Sequence, residues 1–177
     1  MRRLIPQSFY DRSTEQVARD LLGLVLVRRW RGKETASMIV ETEAYDGFDD
    51  RASHAHGGRT ARNEMMFGPP GHWYVYLCYG MHWMLNMVTR ERGYPAAVLI
   101  RGVEDMWGPG RLTSALHITG AQNGTLAFCR DGLWVEDRGL TIHHSKIQTT
   151  PRIGVAYAGA WAHAPRRFVY DPLARRT

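Results

Sequence analysis

The chain has 177 residues, 44% hydrophobic and 23% charged, which fits one globular domain that can bury a core without staples. Lys and Arg number 23 against 17 Asp and Glu, a formal charge of +6 with a pI near 9.7, so polyanionic partners are favoured. Two isolated cysteines, Cys78 and Cys129, exclude a disulfide framework, no apolar run approaches the ~18 residues of a membrane span, and the N-terminus shows no signal-peptide core, while Asp11 and Glu15 argue against a transit peptide.

In chain order, residues 13–23 read as a short helix. Ser13 and Gln16 form a capping box, Gly23 is the C-cap, and Val17, Leu21 and Leu22 give a buried side. A strand over 24–30 turns at Arg31-Gly32 into a second strand over 36–46. Residues 48–58 are polar and rich in Gly and His, hence a loop. Residues 60–67 read as a short helix stopped by GPPG. Strands over 73–79 and 83–89 join at Gly80, and Ala96–Val103 is a further strand. GPGRLTSALHI places Leu112, Ala115 and Leu116 on one helical face. Residues 126–137 read as a hairpin turning at Asp131-Gly132, residues 151–159 as a strand, and 165–177 as a basic extended tail. The sum is a mixed α/β domain, α+β in character and rich in antiparallel strands, without the strand–helix alternation of a doubly wound fold.

The segment IVETEAYDG carries the first chemical signal. Side-chain alternation puts Ile39, Glu41, Glu43 and Tyr45 on one face, with the two carboxylates about 7 Å apart. A solvent-exposed edge strand would show the same pattern. The apolar flanks favour an inner strand, where a carboxylate needs a partner or a job. The pattern alone does not choose between the two acids.

His54 and His56 lie in SHAHGG, and His143-His144 follow much later. No zinc- or iron-type spacing is present, so no metal site is expected. A loop histidine beside an acidic strand suits stacking on a bound ring instead. Trp73, Tyr74, Tyr76, Tyr79 and Trp83 crowd one hairpin, and most such rings are core. Tyr79 differs: at a hairpin tip it is badly placed for a core and well placed to wedge into a base stack. Lys33 and Lys146 are the only lysines, and the other 21 positive residues are arginines, which suit bidentate phosphate contacts. There is no P-loop, GxGxxG, GxSxG or HExxH.

These residues in this order resemble the alkyladenine (3-methyladenine) DNA glycosylase family, of the type found in mammals and many bacteria. The likeness runs through ARDLLGLVLVRR, IVETEAYDG, HAHGGRTARNEMMFGPPGHWYVYLCYGMHWMLN, AVLIRGVE and GPGRLTSALHI to PRIGVAYAGAWA, nearly the whole chain. The resemblance implies a single domain over residues 1–177, with a curved antiparallel sheet, short surrounding helices and a protruding hairpin that enters the DNA minor groove. It implies hydrolysis of the N-glycosidic bond of flipped alkylated or deaminated purines, the class of 3-methyladenine, 7-methylguanine, hypoxanthine and ethenoadenine.

By the same resemblance, Glu43 is the general base and Arg101 helps hold the water beside it. Tyr45 and His54 sandwich the flipped base, Tyr76 is a third wall, and Asn86 crowds the exocyclic amine of guanine. Tyr79 takes the vacated place in the duplex. The chain departs from the family at Ala160, where an acid is common in AGEW, and it lacks the long N-terminal extension of the mammalian members. His72 and Trp73 add bulk ahead of the pocket strand, and together with Met84 and Leu85 they bear on the range of lesions accepted.

Neither lysine falls on a motif position, so a monofunctional enzyme is expected, one that leaves an abasic site and has no lyase step. The expected partner is double-stranded DNA containing damaged purines, bound by a monomer with no cofactor and no membrane attachment, in the bacterial cytoplasm at the nucleoid. A non-catalytic module that binds damaged DNA or RNA through the same aromatic hairpin stays open as an alternative. A basic structural protein would not need the aligned acid, rings and Asn86.

Overall fold

A computed structural model describes residues 2–128, 130 and 132–172. Its architecture is mixed α/β, dominated by one open antiparallel sheet in the order β1-β8-β2-β3-β6-β5-β4. The strands are β1 (Arg3–Leu4), β2 (Val25–Trp30), β3 (Lys33–Asp46), β4 (Trp73–Cys78), β5 (His82–Val88), β6 (Ala96–Val103), β7 (Met106–Trp107), β8 (Leu133–Asp137), β9 (Ile147–Thr150) and β10 (Arg167–Tyr170). β7 folds back antiparallel on the end of β6, while β10 lies between β3 and β9. Three short helices flank the sheet: α1 (Gln7–Tyr10), α2 (Thr14–Asp20) and α3 (Pro109–Ala115). No helix among the described residues is long and apolar enough to cross a membrane.

β3 organises the rest. Its first half pairs with β2 through a turn at Arg31 and Gly32, both with positive φ (49° and 76°), the pattern that matches the strands' own twist. Its second half pairs with β6 on one side and β10 on the other. Residues 39–44 are therefore buried without interruption, as the apolar flanks suggested. The core holds Tyr10, Leu21, Leu26, Ile39, Trp73, Leu85, Met87, Ile100, Leu112 and Phe168, all fully buried. Truncating one of the aliphatic members to Ala would cost about 2–5 kcal/mol.

Several sequence expectations need correction. The helix over 13–23 is shorter, Thr14–Asp20, and Ser13 makes no side-chain cap. Leu21 to Gly23 form a turn instead, and Gly23 (φ 87°) bends the chain so that its N–H reaches the Ile39 carbonyl at 2.9 Å. The helix expected over 60–67 contracts to a 3-10 turn, Glu64–Phe67. On α3 the buried residues are Leu112 and Thr113, followed by Leu116, and Ala115 is exposed.

Among the described residues of the hairpin expected over 126–137, only β8 forms a strand, and it pairs with β1 and β2. The first half is shared: the Ala127 carbonyl accepts the Val135 N–H of β8 at 3.2 Å, while Leu126 bridges His72 and the Ala127 N–H goes to the Gly71 carbonyl at 2.8 Å. The predicted turn residue Asp131 lies outside the described residues, as does Cys129. Residues 151–159 are not a strand. They run as irregular chain into a 3-10 segment, Ala156–His163, kinked at Gly159, with the Ile153 N–H spent on Glu43 and the Arg152 side chain on Asp50. The extended tail is real over Arg167–Tyr170, yet it is sheet rather than free chain, with Phe168 and Val169 buried.

Candidate active site

The carboxylates of β3 meet β6 at an irregularity that alternation cannot show. The register jumps from Ile39↔Val103 to Glu41↔Gly102, then to Thr42↔Ile100. Val40 is thus the extra residue on β3, and Arg101 the extra residue on β6. Bulges of this kind re-aim side chains and cluster near functional sites. The first moves Ile39 off the expected face and into the core cluster with Ala44. The second leaves Arg101 unopposed, with its Nε 3.0 Å from Glu41 Oε1 and 3.6 Å from Glu43 Oε1. Gly102 gives Glu41 room here, since a Cβ would press on the Glu41 Cβ and Oε2 at 3.2 Å.

The two acids differ in their partners. Glu41 Oε1 accepts from both Arg101 Nε (3.0 Å) and Arg167 Nε (2.6 Å), so it is neutralised twice. Glu43 is fully buried and accepts the Tyr45 hydroxyl at Oε2 (2.8 Å) and the Ile153 N–H at Oε1 (2.8 Å). Burial raises its pKa. Arg101, the Ile153 N–H and the Tyr45 hydroxyl oppose that rise without cancelling it, and Glu41 adds to it. The result is a carboxylate short of full compensation, the condition of a group kept ready to take a proton.

Glu43 and Arg101 line a cavity of about 280 Å³, together with Tyr45, His54, Tyr76, Tyr79 and Asn86, room for one small planar ligand. All seven residues singled out in the sequence meet there. Burial first, and then the Glu43 charge, hold the Tyr45 hydroxyl protonated well past its ordinary range. The Arg152 guanidinium lies 4.7 Å from the centre of the Tyr45 ring, covering one face and leaving the other for a ligand.

His54 sits at the mouth in the loop after β3. Asn63 holds that loop, its Nδ2 donating to the His54 and Gly58 carbonyls at 2.9 and 2.8 Å. The His54 Nδ1 is 3.2 Å from the Tyr74 hydroxyl, and its ring meets Tyr76 edge-on at 4.5 Å. Although the residue as a whole is exposed, partial burial of the ring first, and the Arg62 cation second, push its pKa down. That shift favours the neutral imidazole. His56 turns to the Phe48 carbonyl instead, and no group of three or more potential ligands for a metal forms among the described residues. Asn86, buried, donates Nδ2 to the Tyr74 and Met84 carbonyls and lines the cavity.

The β4–β5 hairpin carries the remaining wall and its tip. Trp73 and Leu85 point into the core and His72 does not line the cavity, so the bulk expected ahead of the pocket falls away from it, whereas Met84 does line it. Tyr79 is 87% exposed at a turn where both it and Gly80 have positive φ (51° and 68°). A bulky residue in that conformation is strained, which clusters at functional sites. Cys78, expected in the interior, is half-buried on the cavity wall.

Sequence reasoning missed Tyr74, Tyr157 and the Ile153 N–H. The alternation in WYVY puts Tyr74 on the same face as Tyr76 and could have found it. Tyr157, mostly exposed, donates to the Ala52 carbonyl at 3.2 Å, a contact without a local signal. A backbone N–H leaves no trace in side-chain identity.

Comparison with known proteins points one way. The sequence model of the family described as Methylpurine-DNA glycosylase (MPG) matches residues 8–108 and 104–172. Proteins named "Putative 3-methyladenine DNA glycosylase" are similar over most of their length. One from Methanocella arvoryzae is 49% identical, covering 95% of this chain and 92% of its own. One from Anaeromyxobacter dehalogenans is 48% identical, covering 93% and 80%. One from Bacillus cereus is 40% identical, covering 94% and 95%.

Proposed function

The chain belongs to the methylpurine-DNA glycosylase family, and on that premise we propose that it acts as one monofunctional domain over residues 1–177, excising flipped alkylated or deaminated purines from duplex DNA. The observation that carries this reading is the fully buried Glu43 carboxylate at a ring-lined cavity on a basic protein. The target bond is hidden in the duplex, so the nucleotide must leave the stack at a cost of a few kcal/mol, least for a damaged or mispaired base. Tyr79, projecting from the hairpin, fills the gap. Tyr45, His54 and Tyr76 grip the extruded ring, with stacking worth about 1–3 kcal/mol per base. An alkylpurine cation gains further from electron-rich faces, and a neutral His54 does not repel it. Asn86 crowds the exocyclic amine of guanine.

Glu43 orients a water toward C1′ of the sugar and takes its proton. The new C–O bond forms as the C1′–N bond breaks, and that bond's electron pair leaves with the purine nitrogen. The developing oxocarbenium charge is stabilised by the same carboxylate, by analogy with glycoside hydrolysis. Arg101, shared between Glu41 and Glu43, holds the water and the acid in register. The choice of Glu43 over Glu41 is supported by their partners, since Glu41 is tied to two guanidinium groups.

The product is an abasic site and free base, with no covalent DNA adduct, because neither Lys33 nor Lys146 is among the residues lining the cavity. The protein works as a monomer on DNA in the cytoplasm. Base release from duplexes that each carry one lesion tests the reading. Binding without release would instead identify a damage-binding module.

A further inference from the structure

Residues 152 and 50 hold together three pieces of chain that the proposed reaction needs in register. The Arg152 guanidinium is fully buried and grips Asp50 with both terminal nitrogens, Nη1 to Oδ2 at 2.6 Å and Nη2 to Oδ1 at 2.9 Å. Nη1 also donates to the Ala44 carbonyl at 2.9 Å, and Nη2 to the Trp161 carbonyl at 3.3 Å. Ala44 is the residue between Glu43 and Tyr45. Asp50 opens the loop that carries His54, and it also accepts the Asp46 and Ala52 N–H groups and Arg166 Nη1. The peptide after Arg152 supplies the Ile153 N–H on Glu43, and the guanidinium covers one face of the Tyr45 ring. One side chain therefore touches the strand bearing the base, the loop bearing His54 and the segment that covers both.

We infer that Arg152, locked by Asp50, is a positioning residue for the reaction: it aims the Ile153 N–H at Glu43 Oε1 and fixes the Tyr45 ring and hydroxyl at Glu43 Oε2. It does not touch the reacting atoms. This rests on the reading of Glu43 as the base. A buried fork of this kind cannot be replaced by a point charge, because the guanidinium serves two carboxylate oxygens and two carbonyls at once. Burial pushes the Asp50 carboxyl up, but the Arg152 hydrogen bonds and charge, with the Ala52 and Asp46 N–H groups, outweigh it and hold it below the ordinary range, so the pair stays ionised at working pH. The groups around Glu43 are Glu41 and Tyr45 from β3, Arg101 from β6 and Arg152 from the covering segment, with Arg167 of β10 opposite Glu43 in register and Tyr76 of β4 beside Tyr45. Of these, Arg101 and the Ile153 N–H do most to lower the Glu43 pKa. Letting the Ile153 N–H drift away therefore raises it, and the acid limb of the rate profile moves to higher pH.

The test is single-turnover base excision against pH for wild type, Arg152→Lys and Ile153→Pro, with lesion-duplex affinity measured alongside. Ile153→Pro deletes the N–H at a half-exposed position and leaves the ion pair in place, so it decides the matter if Arg152→Lys does not fold. Val27→Ala, in a separate apolar cluster, controls for lost stability. The expected result is a rate lower by about 10- to 100-fold, an acid limb displaced to higher pH, affinity within twofold of wild type for Ile153→Pro, and no displacement in Val27→Ala. An acid limb at the wild-type position, or the same displacement in Val27→Ala, would overturn the inference. Absence of any base release by wild type would fail the functional reading itself, a separate result.

Discussion

Replacing Tyr79 by Gly separates what the hairpin tip does for the folded protein from what it does for DNA. The ring is 87% exposed and φ is 51°, so its removal uncovers almost no core. Relief of the left-handed strain is worth about 1–2 kcal/mol, while the freedom glycine adds to the unfolded chain takes back about 0.5–1 kcal/mol. The net effect on stability runs from about zero to a gain of ~1.5 kcal/mol, at most a few degrees in Tm. A lost stacking contact of about 1–3 kcal/mol weakens binding to a lesion duplex by about 5- to 150-fold. Urea denaturation and fluorescence titration of a lesion duplex read the two sides independently. A stability loss beyond ~1 kcal/mol would show that the ring packs in the free protein. An unchanged Kd would show that it does not enter the stack. Either result refutes the wedge assignment.

Other expectations follow from the same geometry. Because burial raises the Glu43 pKa in the folded state, the folded protein holds this proton more tightly than the unfolded chain. Wild type therefore loses stability as pH rises from the unfolded carboxylate value through the higher folded one, and Glu43→Gln does not. The variant should match wild type at low pH and exceed it at neutral pH in thermal melts, and a variant less stable than wild type at neutral pH would contradict the uncompensated carboxylate. Binding to duplex DNA should weaken linearly in log Kd against log salt as arginine–phosphate contacts release counterions; an affinity flat between low and physiological salt counts against DNA as the ligand. Borohydride added during turnover should trap no covalent protein–DNA adduct on a denaturing gel, and a trapped band would mean an amine nucleophile.

Much of the site was legible because its chemistry sits in side-chain identity. The alternation in IVETEAYDG put Glu41, Glu43 and Tyr45 on one side, and the apolar flanks indicated the inner strand that β6 and β10 complete. Tyr79 beside Gly80 read as a tip. What stayed hidden depends on register and long-range pairing. The bulges at Val40 and Arg101 displaced Ile39 and aimed a guanidinium between two acids, and no local pattern encodes a register jump. Residues 151–159 look like a strand by composition, yet they find no ladder partner. The Ile153 N–H goes to Glu43 and Arg152 goes to Asp50, contacts spanning 110 and 102 residues of sequence. Leu126 and Ala127 are drawn off the expected hairpin in the same way, towards residues 71 and 72, and the Ala127 carbonyl keeps one bond to β8 at Val135.

The most direct measurement is base release from duplex oligonucleotides, each with a single alkylated or deaminated purine, by wild type and Glu43→Gln side by side. The expected result is free base and an alkali-labile site with wild type, and tight lesion binding without release with the variant, a loss of about 10²-fold or more. Excision by Glu43→Gln at near wild-type rates would contradict the assignment of the base, and binding without release by both proteins would contradict the glycosylase mechanism.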